Sequence, residues 1–548
     1  MAGLLLKLLP LLSMVASASS LMQVNIDCGA SSPHTDKHGI KWLADTSYID
    51  SGEMLVVRNA STTSEEAMKT LRAFTSRKNK YCYNIDIMKG GGQILVRVSF
   101  NYGDYDGRSS PPTVELMFDA NSCGAIQTSL DGEVYYEGVY VATDDMVSVC
   151  VGQSSALGGD PFVSAIQVWE LDADMYPDYD KTSAALVLFK RVAYGASNDV
   201  RYPDDTYDRI WSAAAVSDSL TVLTSDATTI GTNISERPPL KVLQTAVATP
   251  DPSSFLIIST DLPATAVPAY INMYFAEPTK PSSSADGRSI SVFVDGEQVG
   301  DTKTLKYASV MEFYLVNATA SSSTEITVRA APGSALPPII NALEVFGVSD
   351  WLTNGTDVAD APGLAALMSQ FKELQDWGGD PCLPTSYNWD WVGCSSDDTP
   401  RITALYLSGY GLSGELPDFS SLEALEIVEM QNNSISGGIP KYLGSMPNLK
   451  ELNLADNSLS GPIPSSIANN NRIKLTTDGN SKLCAAGQSC ETISTPSTDP
   501  GSTTSTPSTA PGSTTKRPRT SSARKKQSSL DLMLGLAISL AFFFTIWF

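Results

Sequence analysis

Three stretches near the carboxyl end of this chain repeat one pattern. They read RITALYLSGYGLSGELP (401–417), LEIVEMQNNSISGGIP (425–440) and LKELNLADNSLSGPIP (449–464). Equivalent positions recur every 23 to 24 residues: Leu405/Leu407, Val428/Met430 and Leu452/Leu454. Leu412, Ile435 and Leu459 follow, then Gly414, Gly437 and Gly461, and each unit closes on Leu416-Pro417, Ile439-Pro440 or Ile463-Pro464. One such unit cannot bury its apolar side alone, so neighbours must stack into a solenoid. Asn433 and Asn457 fall at the turn after each short strand, where an amide can satisfy backbone groups.

This is the pattern of a leucine-rich repeat. We place the repeats and their carboxyl-terminal cap at 401–490, after a linker and amino-terminal cap at 351–400. Two close-spaced cysteine pairs, Cys382 with Cys394 and Cys484 with Cys490, sit where caps are needed and are expected to bond. Gly409, Gly411 and Gly414 spell GxGxxG, but they fall in repeat register and lack the strand, helix and acid of a dinucleotide site.

The region before the repeats alternates apolar and polar residues. Ile94–Phe100, Thr113–Phe118, Val163–Trp169, Tyr270–Phe275 and Ile290–Val294 read as strands, and Asp295-Gly296 as a hairpin turn. Such a series of strands predicts mainly β structure, in two tandem sandwiches at 23–180 and 181–350.

Both ends read as processing signals. Residues 1–18 combine a short apolar run with Ala16-Ser17-Ala18, which predicts a secretory signal peptide. Residues 491–521 form a Ser/Thr/Pro-rich stalk. Residues 522–548 end in an apolar tail preceded by small residues, which predicts a glycosylphosphatidylinositol anchor at Ser521; a single-pass span is the alternative. Secretion suits Cys28, Cys82, Cys123 and Cys150, whose three possible connectivities include the favoured Cys28–Cys82 with Cys123–Cys150. It also suits the sequons at Asn59, Asn233, Asn317, Asn354 and Asn432. The expected location is the outer face of the plasma membrane.

Several motifs carry a resemblance. VNIDCG (24–29), CYNIDI (82–87), ILVRVSFNYGDYDG (94–107), PFVSAIQVWEL (161–171) and RYPDDTYDRIW (201–211) resemble the malectin-like ectodomain of plant receptor-like kinases. YINMYFAE (270–277) and ISVFVDGEQV (290–299) resemble a second malectin-type unit. WGGDPC (377–382) is similar to the Gly-Asp-Pro-Cys junction of the symbiosis-receptor-kinase type. No kinase motif follows in this sequence. The resemblance implies two malectin-like β-sandwiches and a glycan, peptide or partner-ectodomain ligand, with a transmembrane receptor kinase as signalling partner. For a sugar, stacking aromatics and hydrogen-bonding carboxylates are required. Tyr102, Asp104, Tyr105 and Asp106 in one loop, and Tyr274, Phe275 and Glu277 on the second-unit strand, are the candidates; Tyr81 and Tyr83 lie nearby in sequence.

Charge and composition narrow the function. With 37 Lys+Arg against 60 Asp+Glu the net charge is −23, which disfavours nucleic acid. The chain has two histidines, His34 and His38, too few for three-His zinc sites. Asp204, Asp205 and Asp208 form an acidic cluster, expected to be a solvated loop or to pair with Arg201 or Arg209, with a calcium site as the lesser reading. No cofactor or metal is called for. The reading is a non-catalytic cell-surface receptor-like or co-receptor protein; a structural or adhesion wall glycoprotein, or a glycosidase using two carboxylates, are the alternatives.

Overall fold

The computed structural model describes residues 22–490 except 60, 62, 76–77, 88–89, 155–157, 232, 281–286, 351 and 489. The signal peptide, the stalk, the apolar tail and Ser521 lie outside the described residues, as does the side chain of Asn317.

The strands expected from alternation form, and their pairing explains the amino-terminal architecture. Gln23–Asp27, Ala165–Glu170, Gln93–Phe100 and Val134–Val141 are successive neighbours in one sheet. Leu186–Ala193, Ala342–Val348, Val267–Ala276 and Val310–Ala320 repeat that arrangement in the second half. Each half adds a second four-stranded sheet: Tyr81–Asp86, Met146–Gln153, Thr113–Phe118 and Asn121–Gln127 in the first. In the second these are Phe255–Ile258, Ile326–Ala330, Ser289–Val294 and Glu297–Thr304. The turn at Asp295-Gly296 has φ of 49° and 86°, the conformation two-residue hairpins favour.

The two halves are fused. Gly138 and Val139 pair with Val187 and Leu186, so one sheet of 11 strands runs through both sandwiches. Its apolar face packs Val96, Val98, Ile166 and Val168 into the first core and Ile271, Met273, Leu343 and Val345 into the second.

In the repeat region, Ile402–Tyr406, Ile427–Glu429, Glu451–Asn453 and Lys474–Thr476 form a parallel ladder, with Val392–Cys394 antiparallel at its start. The last of these strands belongs to a fourth unit beyond the three motifs. Asn433 Nδ2 donates to Leu407 O at 2.8 Å while its Oδ1 accepts from Leu412 N at 3.0 Å. Asn457 and Asn480 repeat this bond one and two units on. Gly409, Gly411 and Gly414 lie within this solenoid.

Cysteine pairing corrects one expectation. Cys82 bonds Cys150, and Cys28 and Cys123 are free. Cys82 and Cys150 stand opposite each other on adjacent strands, with Cα atoms 4.0 Å apart. Cys28 follows a strand of the other sheet, and Cys123 lies on the far edge strand. Burial pushes the Cys28 thiol well up and the Cys123 thiol to about 12. Cys382–Cys394 and Cys484–Cys490 are bonded.

The Trp377–Cys382 motif docks the repeat cap on the first sandwich. Gly379, at φ 69°, lies against the Cys82–Cys150 bond so closely that a Cβ would sit 2.7 Å from Cys150 Sγ. Asp380 Oδ1 accepts from Cys382 N and Leu383 N at 2.9 and 2.7 Å, holding the turn. Lys80 Nζ donates to the Asp380 and Leu383 carbonyls, and Lys78 pairs with Asp376 at 2.6 Å. Burial lowers the Lys80 ammonium to about 8, against the pull of Asp380.

Candidate functional site

The other face of the fused sheet carries a row of polar side chains, one per strand. Asn25, Gln167, Arg97 and Glu137 are direct cross-strand neighbours, as are Arg191, Glu344 and Asn272 beyond them. All seven are buried. Gln167 donates to Asn25 at 2.9 Å, and Arg97 to Gln167 at 3.1 Å. Arg97 and Arg191 take the two oxygens of Glu137 at 2.6 Å each, and Arg191 reaches Glu344 at 2.7 Å. Burial works against the Glu137 carboxylate, yet Arg191 and Arg97 outweigh it and hold Glu137 below its usual range.

The RYPDDTYDRIW segment lids this row. Asp208 accepts from Arg97 at 3.1 Å and from Arg201 at 2.8 Å; Asp205 accepts from Arg209 and Trp211 at 2.9 and 2.8 Å. Asp204 pairs with Lys241 at 2.5 Å. The acidic cluster is thus a set of ion pairs, including those with Arg201 and Arg209.

Where the lid stops, a cleft of about 690 Å³ opens between the halves. Residues 36–38 and 64–68 wall one side, and 197–201 with 210–213 the other; Arg97, Ser99, Tyr135 and Gln167 lie at its base. Tyr135 is 40% exposed, although most large aromatics here are buried. Its ring lies 5.8 Å from the Arg97 guanidinium, which the ladder immobilises. Asp36 takes Trp42 Nε1 at 2.9 Å, Glu65 pairs with Lys37 at 2.9 Å, and Asp199 accepts from Ala213 N at 2.8 Å. Glu133 accepts from the Thr63 hydroxyl, and Glu66 pairs with Lys69 at 2.6 Å. These carboxylates are held as fixed acceptors, which suits recognition. A second cleft of about 510 Å³ shares Asp36, Lys37, Ser64 and Glu66. Asp27 lines it, raised to about 7 by burial and by Asp45 and Glu66 against the Thr70 hydroxyl bond, with His34 Nδ1 at 3.7 Å.

The sequence-derived ligand residues are elsewhere and are used internally. Tyr102 is buried and donates to Asp106; Tyr105 packs edge-on to it at 5.4 Å. Asp104 accepts from Ser109 N at 2.8 Å, closing the loop. Tyr274 is buried and donates to Glu344 at 2.6 Å, Phe275 packs on Phe313, and Glu277 pairs with Arg288 at 2.8 Å. Tyr81 and Tyr83 are buried as well. Tyr102, Tyr274, Phe275, Tyr81 and Tyr83 offer no open ring face, and Tyr105 is half-buried against Tyr102 and Phe162. Nothing in the sequence singles out Tyr135: VYYEGVYV alternates like any strand, and the ring is exposed where the cleft opens between the halves.

Comparison with known proteins gives the family. The malectin-like domain model matches residues 26–348, and the leucine-rich-repeat model matches 448–470. The chain belongs to the malectin-like family. A probable LRR receptor-like serine/threonine-protein kinase of Arabidopsis thaliana (At1g67720) is 32% identical over 489 residues, covering 77% of this chain and 49% of that protein. An uncharacterized Arabidopsis thaliana protein (At1g24485) is 35% identical over 335 residues, covering 61% of this chain and 65% of its own. This malectin-like chain spans about half the length of the receptor-kinase relatives it matches. Among solved structures, the ANXUR1 extracellular domain from Arabidopsis thaliana matches with a TM-score of 0.52 at 16% identity, covering 60% of this chain and 97% of its own. FER in the complex of the plant peptide RALF23 with FER and LLG2 matches at 0.50 and 14%, covering 60% and 95%. At these identities the likeness is one of fold.

Proposed function

We propose that this protein is a non-catalytic receptor-like or co-receptor ectodomain that binds its ligand in the cleft over Tyr135. The observation that carries this reading is the exposed Tyr135 ring on a base immobilised by buried ion pairs, walled by prepositioned acceptors. Its solved fold relatives include a receptor complexed with a plant peptide, which favours a peptide ligand. The carboxylates Asp36, Glu65, Glu133 and Asp199 along the walls suit a peptide carrying basic residues. A neutral glycan is the second reading, favoured by the open aromatic face.

A glycan array and a peptide panel probed with residues 22–490 test both. The expected outcome is a binder on one surface whose signal disappears with Tyr135→Ala. Binders on either surface that ignore this substitution would refute the cleft as the site.

We further propose that the protein is secreted, N-glycosylated and held on the outer face of the plasma membrane by a lipid anchor at Ser521, signalling through a transmembrane receptor kinase. Asn59, Asn233, Asn354 and Asn432 are exposed, as glycosylation requires. Among the described residues, no helix is long and apolar enough to cross a membrane. Phosphatidylinositol-specific phospholipase should release the protein from intact cells; retention on the surface would refute the anchor.

A further inference from the structure

The two sandwiches repeat the same pair of four-stranded arrangements, and this exposes a difference between them. In the first, the sheet beginning at the Tyr81–Asp86 edge is covered from outside by the repeat cap. Gly378 and Gly379 lie on Cys82 and Cys150, Tyr387 packs on the cluster of Cys82, Met117 and Cys150, and Lys80 binds the cap carbonyls. The covered edge is basic, through Lys78 and Lys80, and the cap brings Asp376 and Asp390 to it.

The second sandwich has the same sheet, beginning at the Phe255–Ile258 edge. Registers counted from the turns at 119–120 and 295–296 make the correspondence specific. Phe118 pairs with Val149 and Val294 with Ile326; Val149 pairs with Tyr83 and Ile326 with Ile258. Ile257 therefore stands where Cys82 stands, Thr327 where Cys150 stands, Phe293 where Met117 stands, and Phe255 where Lys80 stands. Thr327 is buried and Phe293 half-buried, but the two edge-strand side chains stand open: Ile257 is 68% exposed and Phe255 47%. The Arg329 guanidinium lies 5.2 Å from the Phe255 ring and 4.7 Å from the Phe293 ring, bridging the two aromatics by cation–π contact.

An edge strand reading FLII, with neither lysine nor proline to blunt it, is a template for association. Its surroundings select the occupant. The end of the sheet next to Ile258 carries exposed Asp261, Asp295, Glu297 and Glu325, reversing the sign of the edge in the first sandwich. A second copy of the chain would bring these carboxylates together across the contact. We propose that the face formed by Phe255, Ile257 and Phe293 is a protein-docking face, taken by a partner protein with an apolar centre flanked on one side by lysine or arginine. The first sandwich shows the mode: a segment from another module seats on this face, fixed by the Lys78–Asp376 ion pair and by hydrogen bonds from Lys80 and Asn79, and here the charges are of opposite sense.

The test uses the full chain and a synthetic peptide of alternating leucine and lysine, with its leucine–glutamate counterpart as control. Hydrogen exchange read by mass spectrometry locates binding, and fluorescence anisotropy measures it. The expected result is saturable one-to-one binding of the lysine peptide with protection at 255–258. It should weaken at least tenfold in Phe255→Ser/Ile257→Ser and be unchanged in Tyr135→Ala. Because both serines replace exposed side chains, the double variant should melt with the wild type. Protection confined to other segments, equal binding of the glutamate peptide, or indifference to the double substitution would overturn the proposal. So would self-association of the full chain that the double variant abolishes, since the occupant would then be a second copy.

Discussion

At the residue scale, the buried charge row is the most demanding feature of the molecule. Arg191 is buried between Glu137 and Glu344, so its removal takes from Glu344 its ion-pair partner and leaves Glu137 to Arg97 alone. We expect Arg191→Met to cost about 3–5 kcal/mol, as for breaking other buried pairs, read as a lower urea midpoint. Asp27 provides a pH signature. A carboxyl starts near 3.9 in the unfolded chain and is raised to about 7 in the fold. The folded state therefore holds its proton more tightly, and stability falls as pH rises between these values. Asp27→Asn should remove that part of the slope; identical melting profiles for the two proteins from pH 4 to 7 would show that Asp27 does not titrate this way. Residue identity also limited what could be read in advance. Tyr102, Tyr274 and Phe275 have the chemistry of sugar-binding residues, but chemistry does not say which side of a sheet is covered. Here the second half of the chain covers one region and leaves Tyr135 open.

At the element scale, periodicity carried much of the fold. Alternation identified strands such as Gln93–Phe100 and Val267–Ala276, and the 23-to-24-residue repeat identified the solenoid and its asparagine ladder. Asn480 does not stand out in the sequence because LTTDGNSKL lacks the apolar spacing of its predecessors, although the same bonds form. Cysteine connectivity was illegible for a related reason: Cys82 and Cys150 are 68 residues apart and meet only through strand register. That bond also supports the cap through Gly379. Replacing both cysteines by serine should cost about 4 kcal/mol by loop entropy alone. It should also speed exchange of the amides at 378–383. A variant that loses stability but keeps those amides protected would separate the bond from cap docking.

At the scale of the whole molecule, one sheet running through two sandwiches aligns the pieces of the cleft without a flexible joint between them. Gly138 and Val139 pair directly with Val187 and Leu186, so the walls contributed by 36–38 and 197–201 are set by strand pairing. Sequence reading expected tandem sandwiches but not this fusion, because two paired residues leave no compositional trace. The consequence is a cleft whose geometry is set by strand pairing, which would keep the ordering cost of the proposed binding low. The central claim is that Tyr135 is the contact surface of that site. Its most direct test is titration calorimetry of the first peptide or glycan found to bind, against wild type and Tyr135→Ala at matched stability. The account predicts one-to-one binding weakened at least tenfold by the substitution; equal affinity for the two proteins would contradict it.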